Sequence, residues 1–171
     1  AAGNYATSLG RSRASGLDSF AAAIGNNTST YGATGDNSIA IGKEAKATAI
    51  GSIAISANRF GPALSSANGS IAIGDGATAS GSMSVALGRL STAGSTYAYA
   101  IGYSATASFG NSFAIGNSVT TSAVNEIALG GSADTIKISG TYTLPTTDGT
   151  TGQVLTTNGT GVVTFADAGG G

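Results

Sequence analysis

The sequence predicts an all-β chain, a parallel β-roll of about 14 residues per coil followed by a small antiparallel β-hairpin unit. Three observations carry that expectation. A five-residue phrase returns at near-constant spacing, its apolar residues alternate with alanine, and after residue 130 the pattern gives way to hairpin signals. Fixed-period self-similarity is the mark of a stacked-coil architecture.

The phrase stands as Ser38-Ile39-Ala40-Ile41-Gly42, Ser52-Ile53-Ala54-Ile55-Ser56, Ser70-Ile71-Ala72-Ile73-Gly74 and Ser84-Val85-Ala86-Leu87-Gly88. It continues as Ala98-Tyr99-Ala100-Ile101-Gly102, Ser112-Phe113-Ala114-Ile115-Gly116 and Glu126-Ile127-Ala128-Leu129-Gly130, with looser copies ending at Gly10 and Gly25. Anchoring on the last residue gives spacings of 15, 17, 14, 18, 14, 14, 14 and 14. The extra residues before Gly42, around Asn26, Asn27 and Thr28, and before Gly74, over Asn58, Arg59, Phe60, Gly61 and Pro62, read as loops bulging from a regular coil.

Within the phrase, period 2 places two apolar residues on one face and alanine on the other, the pattern of a strand. A helix is excluded, because a glycine about every seven residues would each time cost about 1 kcal/mol there. A softer phrase lies between anchors, as in Gly76-Ala77-Thr78-Ala79-Ser80-Gly81. Two short strands and two corners per coil make a flattened roll. At about 4.8 Å per coil the stack extends roughly 40 Å. Either the alanine face or the Ile/Leu face can be the interior on this reading.

After Gly130 the period stops. Thr135-Ile136-Lys137-Ile138-Ser139 alternates, and Gln153-Val154-Leu155-Thr156 and Val162-Val163-Thr164-Phe165 flank Asn158-Gly159-Thr160-Gly161, turn chemistry suited to antiparallel strands. The expected organisation is a roll over 1–130, a capping or connecting hairpin unit over 131–167 and a Gly-rich linker over 168–171.

Composition narrows the function. Of 171 residues, 28 are Gly, 41% are hydrophobic and only 6% aromatic, so the apolar count is carried largely by alanine, which removes little area from water. Such a chain is expected to gain stability from backbone ladders and from neighbouring chains covering its apolar flank. Net charge is −1 with basic residues scattered, and Arg11 with Arg13 reads as a solvated edge, so no nucleic-acid surface is expected. No run approaches the roughly 18 apolar residues of a membrane helix, and no membrane insertion is expected.

Histidine, cysteine and tryptophan are absent, which removes the usual general bases, thiolate nucleophiles and most transition-metal ligands. Asp36 with Glu44 and Glu126 with Asp134 are the only acids close enough in sequence to suspect as a pair. No enzyme, catalytic residue, metal or cofactor is expected. Gly74-Asp75-Gly76 reads as a turn, since the recurring Asp of a calcium roll is missing, and Asn68-Gly69-Ser70 also reads as a turn. Candidate recognition sites are the two insertions, with Asn26, Asn27, Thr28, Asn58, Arg59 and Phe60, because loops on a rigid scaffold carry recognition. Tyr97, Tyr99, Tyr103, Phe109 and Phe113 fall within two coils and are expected to form an inter-chain packing layer or a sugar-stacking patch.

Over about residues 19–130 these phrases, with Ala-Thr-Ala-Ser-Gly between them, closely resemble the head repeats of trimeric autotransporter adhesins of the YadA-like type. The resemblance implies a left-handed parallel β-roll, three identical chains side by side and an extracellular adhesive role without cofactor. Residues 142–149 and 152–159, with Val163-Thr164-Phe165 and the Gly tail, look like segments of tailed-phage virion fibres. The leading expectation is thus a homotrimeric fibre segment on a virion surface, partnered by host-surface components or other virion proteins. The alternative is a bacterial adhesin head on the cell surface. Hydrolysis of a host glycan is the enzyme reading. An ice-binding roll is a remote reading, since the threonines lack strict coil-to-coil register on the sequence alone.

Overall fold

The computed structural model describes residues 3–23, 31–57, 59–131, 134–138, 142–143, 145, 148–157, 159–160 and 162–169. It comprises two compact units, Ala1–Leu129 and Gly130–Gly171.

The first unit is a parallel β-solenoid. Its long strands, Thr7–Gly10, Phe20–Ala23, Ile39–Ile41, Ile53–Ile55, Ile71–Ile73, Val85–Leu87, Tyr99–Ile101, Phe113–Ile115 and Ile127–Leu129, stack in chain order into one nine-stranded sheet. The short strands, Gly32–Ala33, Lys46–Ala47, Leu64–Ser65, Thr78–Ala79, Thr92–Ala93 and Thr106–Ala107, form a six-stranded sheet. Register is unslipped through the regular coils, with Ala72, Ala86, Ala100 and Ala114 in one file. The sequence phrase and its softer partner are therefore the two walls of the roll, as the period of about 14 requires.

The alanines point inward. Ala40, Ala54, Ala72, Ala86, Ala100 and Ala114 of the long strands, and Ala47, Ala79, Ala93 and Ala107 of the short ones, have no exposed surface. Small side chains fill the space between the walls, and close packing of methyls takes the place of a large-side-chain core. At the C-terminal end of the stack Val119 and Thr121 occupy the inward positions that Ala105 and Ala107 hold one coil earlier, so bulkier groups fill the interior.

Serine recurs at the head of the phrase for a reason that composition did not disclose. The buried hydroxyls of Ser19, Ser38, Ser52, Ser70 and Ser112 each donate to the carbonyl three residues earlier, at 2.5–2.7 Å. Each buried hydroxyl is thereby paired within its own turn, and the Ala49 and Ala67 carbonyls also accept the Ser52 and Ser70 N–H groups. Glycine at the end of the phrase is set by sterics. Gly74, Gly88, Gly102 and Gly116 have φ of 133–135°, and a Cβ on Gly102 would lie 2.1 Å from the Gly116 carbonyl oxygen of the next coil.

Two expectations are corrected. The second coil is anchored not at Gly25, which lies outside the described residues, but at Ala23, which pairs with Gly10, while Ala22 pairs with Ile41. Strand hydrogen bonding, and not the nearest glycine, sets that anchor. The threonines do keep register: Thr78, Thr92, Thr106 and Thr120 stand in single file on the outer face of the short-strand sheet. The four stand 14 residues apart in the sequence, and the file stops at Leu64, which pairs with Thr78.

In the second unit Lys137–Ile138 pairs antiparallel with Tyr142–Thr143, and Gln153–Thr157 pairs antiparallel with Val163–Asp167, Leu155 opposite Phe165. The hairpin expected from the Asn158–Gly161 turn is thus present, with Asn158 and Gly161 themselves outside the described residues.

Candidate functional site

The outer face of the nine-stranded sheet carries two apolar files. One runs Ile39, Ile53, Ile71, Val85, Tyr99, Phe113 and Ile127, the other Ile41, Ile55, Ile73, Leu87, Ile101, Ile115 and Leu129, each in unbroken register. Among the described residues of this unit nothing covers them. Every member is at least partly exposed, and Leu87 is 43% exposed. Because the interior takes only methyls, all the larger apolar side chains of the phrase are forced outward. Contiguous exposed apolar surface of this length marks an association face. Where Ala22 stands between Leu9 and Ile41, the file is notched, and a groove of about 730 Å³ opens between these residues, Lys43 and Ala57.

The five aromatics singled out by sequence do not form one cluster. Tyr99 and Phe113 belong to the first apolar file and stack face to face, with centroids 4.5 Å apart and planes 6° from parallel. Tyr97 lies at the opposite corner of the coil in the left-handed conformation, half exposed, and Phe109 is exposed just before the next strand entry. Tyr103 sits at the corner that leaves the long strand, next to Arg89 of the preceding coil.

That corner also receives the second insertion. Asp75 accepts hydrogen bonds from the backbone N–H of Arg59 at 2.7 Å and of Phe60 at 3.0 Å, and Gly76 N–H donates to the Gly61 carbonyl at 2.9 Å. So pinned, Phe60 reaches across Asp75 to Arg89, whose guanidinium carbon lies 4.5 Å from the Phe60 centroid and 4.4 Å from that of Tyr103. The Arg59 guanidinium lies 5.2 Å from the Phe60 ring. Of the insertion residues named from sequence, Arg59 and Phe60 are thus joined to Tyr103 through Arg89. Asn26, Asn27, Thr28 and Asn58 lie outside the described residues. Arg89 was not singled out by sequence, since a lone Arg after a repeat glycine carries no signal until its neighbours across coils are known.

The acids act as backbone caps. Asp36 accepts from Leu17 N–H at 2.8 Å, Asp134 from Gly131 N–H at 2.6 Å, and Glu126 from the N–H groups of Ser122 and Ala123. Those two bonds, led by that from Ser122, hold the Glu126 carboxyl below the usual glutamate range. Among the described residues no group of three or more Asp or Glu gathers as a metal site. No helix among them is long and apolar enough to cross a membrane.

Residues 33–55, 65–91 and 93–118 match the family model described as YadA head domain repeat (2 copies). No curated protein matches the chain. The matched repeats are a non-enzymatic adhesin structure, typical of trimeric autotransporter adhesins and pointing to exposure at a bacterial cell surface. The match spans coils in which alanine packs inward and the larger apolar side chains outward, and over residues 33–118 the solenoid is similar to YadA head domain repeats.

Proposed function

We propose that the chain is a head segment of a homotrimeric adhesin displayed on a bacterial surface, in which three solenoids cover one another's apolar files and present their corners to the target. The observation that carries this reading is the pair of unbroken apolar files that the described residues of the solenoid leave exposed. Burying such files between subunits stabilises association at roughly 25 cal/mol per Å² of apolar surface.

Sedimentation of the purified chain tests it. The expected species has the mass of three chains of 16.3 kDa, and the double substitution Leu87→Asp with Ile101→Asp shifts it to smaller species. A folded, stable monomer at micromolar concentration sinks the proposal.

The virion-fibre reading rests on the sequence of residues 142–165, a segment that the matched repeats do not reach, and the family match favours the adhesin. Labelling with antibody against the chain separates the two, decorating bacterial envelopes in one case and phage particles in the other. The threonine file favours an ice-binding surface to the extent of one row of four residues.

A further inference from the structure

We propose that Arg59, Phe60, Arg89 and Tyr103 form a binding site for an acidic saccharide, a uronate or sulfated sugar. The inference rests on the adhesin reading for its setting, and on the corner geometry for its chemistry.

The guanidinium carbon of Arg89 lies over two rings, 4.5 Å from the Phe60 centroid and 4.4 Å from that of Tyr103. Ring faces attract a guanidinium without supplying a carboxylate, and its fork of N–H donors suits two-pronged bonding to a carboxylate or sulfate. The acid in the same corner row, Asp75, spends both carboxylate oxygens on the backbone N–H groups of the insertion. Neither Arg59 nor Arg89 forms an ion pair among the described residues, so two cationic groups flank one ring, against the single negative charge of Asp75. Phe60 is 51% and Tyr103 43% exposed, and ring surface of that kind suits the C–H face of a sugar.

The site is also rigid. The insertion is tied to the next coil at Arg59, Phe60 and Gly61, and the other two residues are fixed by the solenoid corners, so little ordering entropy is lost on binding. A nucleic-acid backbone would need a longer basic track than this chain of net charge −1 offers.

The test uses the full chain against heparin, polygalacturonate and neutral dextran, with native mass measured alongside. Wild type is expected to bind at least one acidic polymer, sulfated or carboxylated according to which sugar the site takes, and not dextran, with affinity falling as salt rises. R89Q is expected to lose about ten- to a hundredfold in affinity at unchanged native mass, as removal of a charge-assisted pair requires. R89K should recover part of it, because an ammonium supplies charge without the fork, and F60A should weaken binding while leaving the roll folded.

The site is refuted by equal binding of dextran, by no binding of either acidic polymer, by an R89Q variant that binds as wild type, or by R89Q changing the native mass. A trimer that ignores acidic polymers removes the site alone. A monomer that binds them through Arg89 removes the trimeric reading and leaves the site.

Discussion

At the scale of single residues, hydrogen bonding separates positions that look equivalent in the repeat. Ser70 Oγ bonds the Ala67 carbonyl at 2.6 Å and the Ser65 hydroxyl at 2.6 Å, while Ser84 Oγ is buried with no hydrogen-bond partner, and Ala98 occupies its place one coil on. Ser70→Ala is therefore expected to cost about 1 kcal/mol, and Ser84→Ala to be neutral or stabilising by up to about 1 kcal/mol, in chemical denaturation. Equal costs would contradict the assignment. Glu126 titrates in the opposite sense to a buried acid, because two backbone N–H groups favour its charged form. A carboxyl lowered in the folded state contributes stability above its unfolded value, roughly 4.3, and loses it as pH falls through the lower folded value. The stability gap between wild type and E126A should thus be widest at neutral pH and close in acid. An NMR titration should place the Glu126 midpoint below the ordinary glutamate range, and a midpoint at or above it would overturn the account.

At the scale of the coil, corner sterics dominate. Gly102 combines φ of 134° with the close approach of the Gly116 carbonyl, whereas a Cβ on Gly94 would meet nothing nearer than 3.8 Å, at ordinary van der Waals contact. Gly102→Ala is expected to cost about 3 kcal/mol or more, from backbone strain and the displaced coil together. Gly94→Ala should lie within about 0.5 kcal/mol of wild type. Thermal melts of the two variants check the contrast, and a Gly102→Ala protein as stable as wild type would remove the steric argument. The other corner shows what sequence could not disclose. Met83, Tyr97, Asn111 and Asn125 hold φ of 54–59° with side chains present, so left-handed geometry there does not demand glycine and leaves no glycine signature to read.

At the scale of the whole molecule, the period and the strand alternation were legible because each is a local pattern repeated many times, and the hairpin after residue 130 because Asn158-Gly159 stands between two β-prone runs. The candidate site was legible only in part. Arg59, Phe60 and Tyr103 are conspicuous in the sequence, but Arg89 joins them only after the coils stack and Asp75 draws the insertion across a coil. The five aromatics were grouped by proximity along the chain, and stacking divides them among three surfaces. Likewise the Ala23 anchor depends on register, which hydrogen bonds between coils set and the position of the nearest glycine does not.

By itself, then, the sequence determined that this chain is a β-solenoid of alternating strands, since a repeat with two apolar residues around each alanine admits no other regular structure. Which face lies inside was decided by the tertiary structure alone. Alternation is symmetric with respect to inversion, and only the close spacing of the two walls, filled along most coils by methyl groups, turns alanine inward and leaves the isoleucines on the outer face.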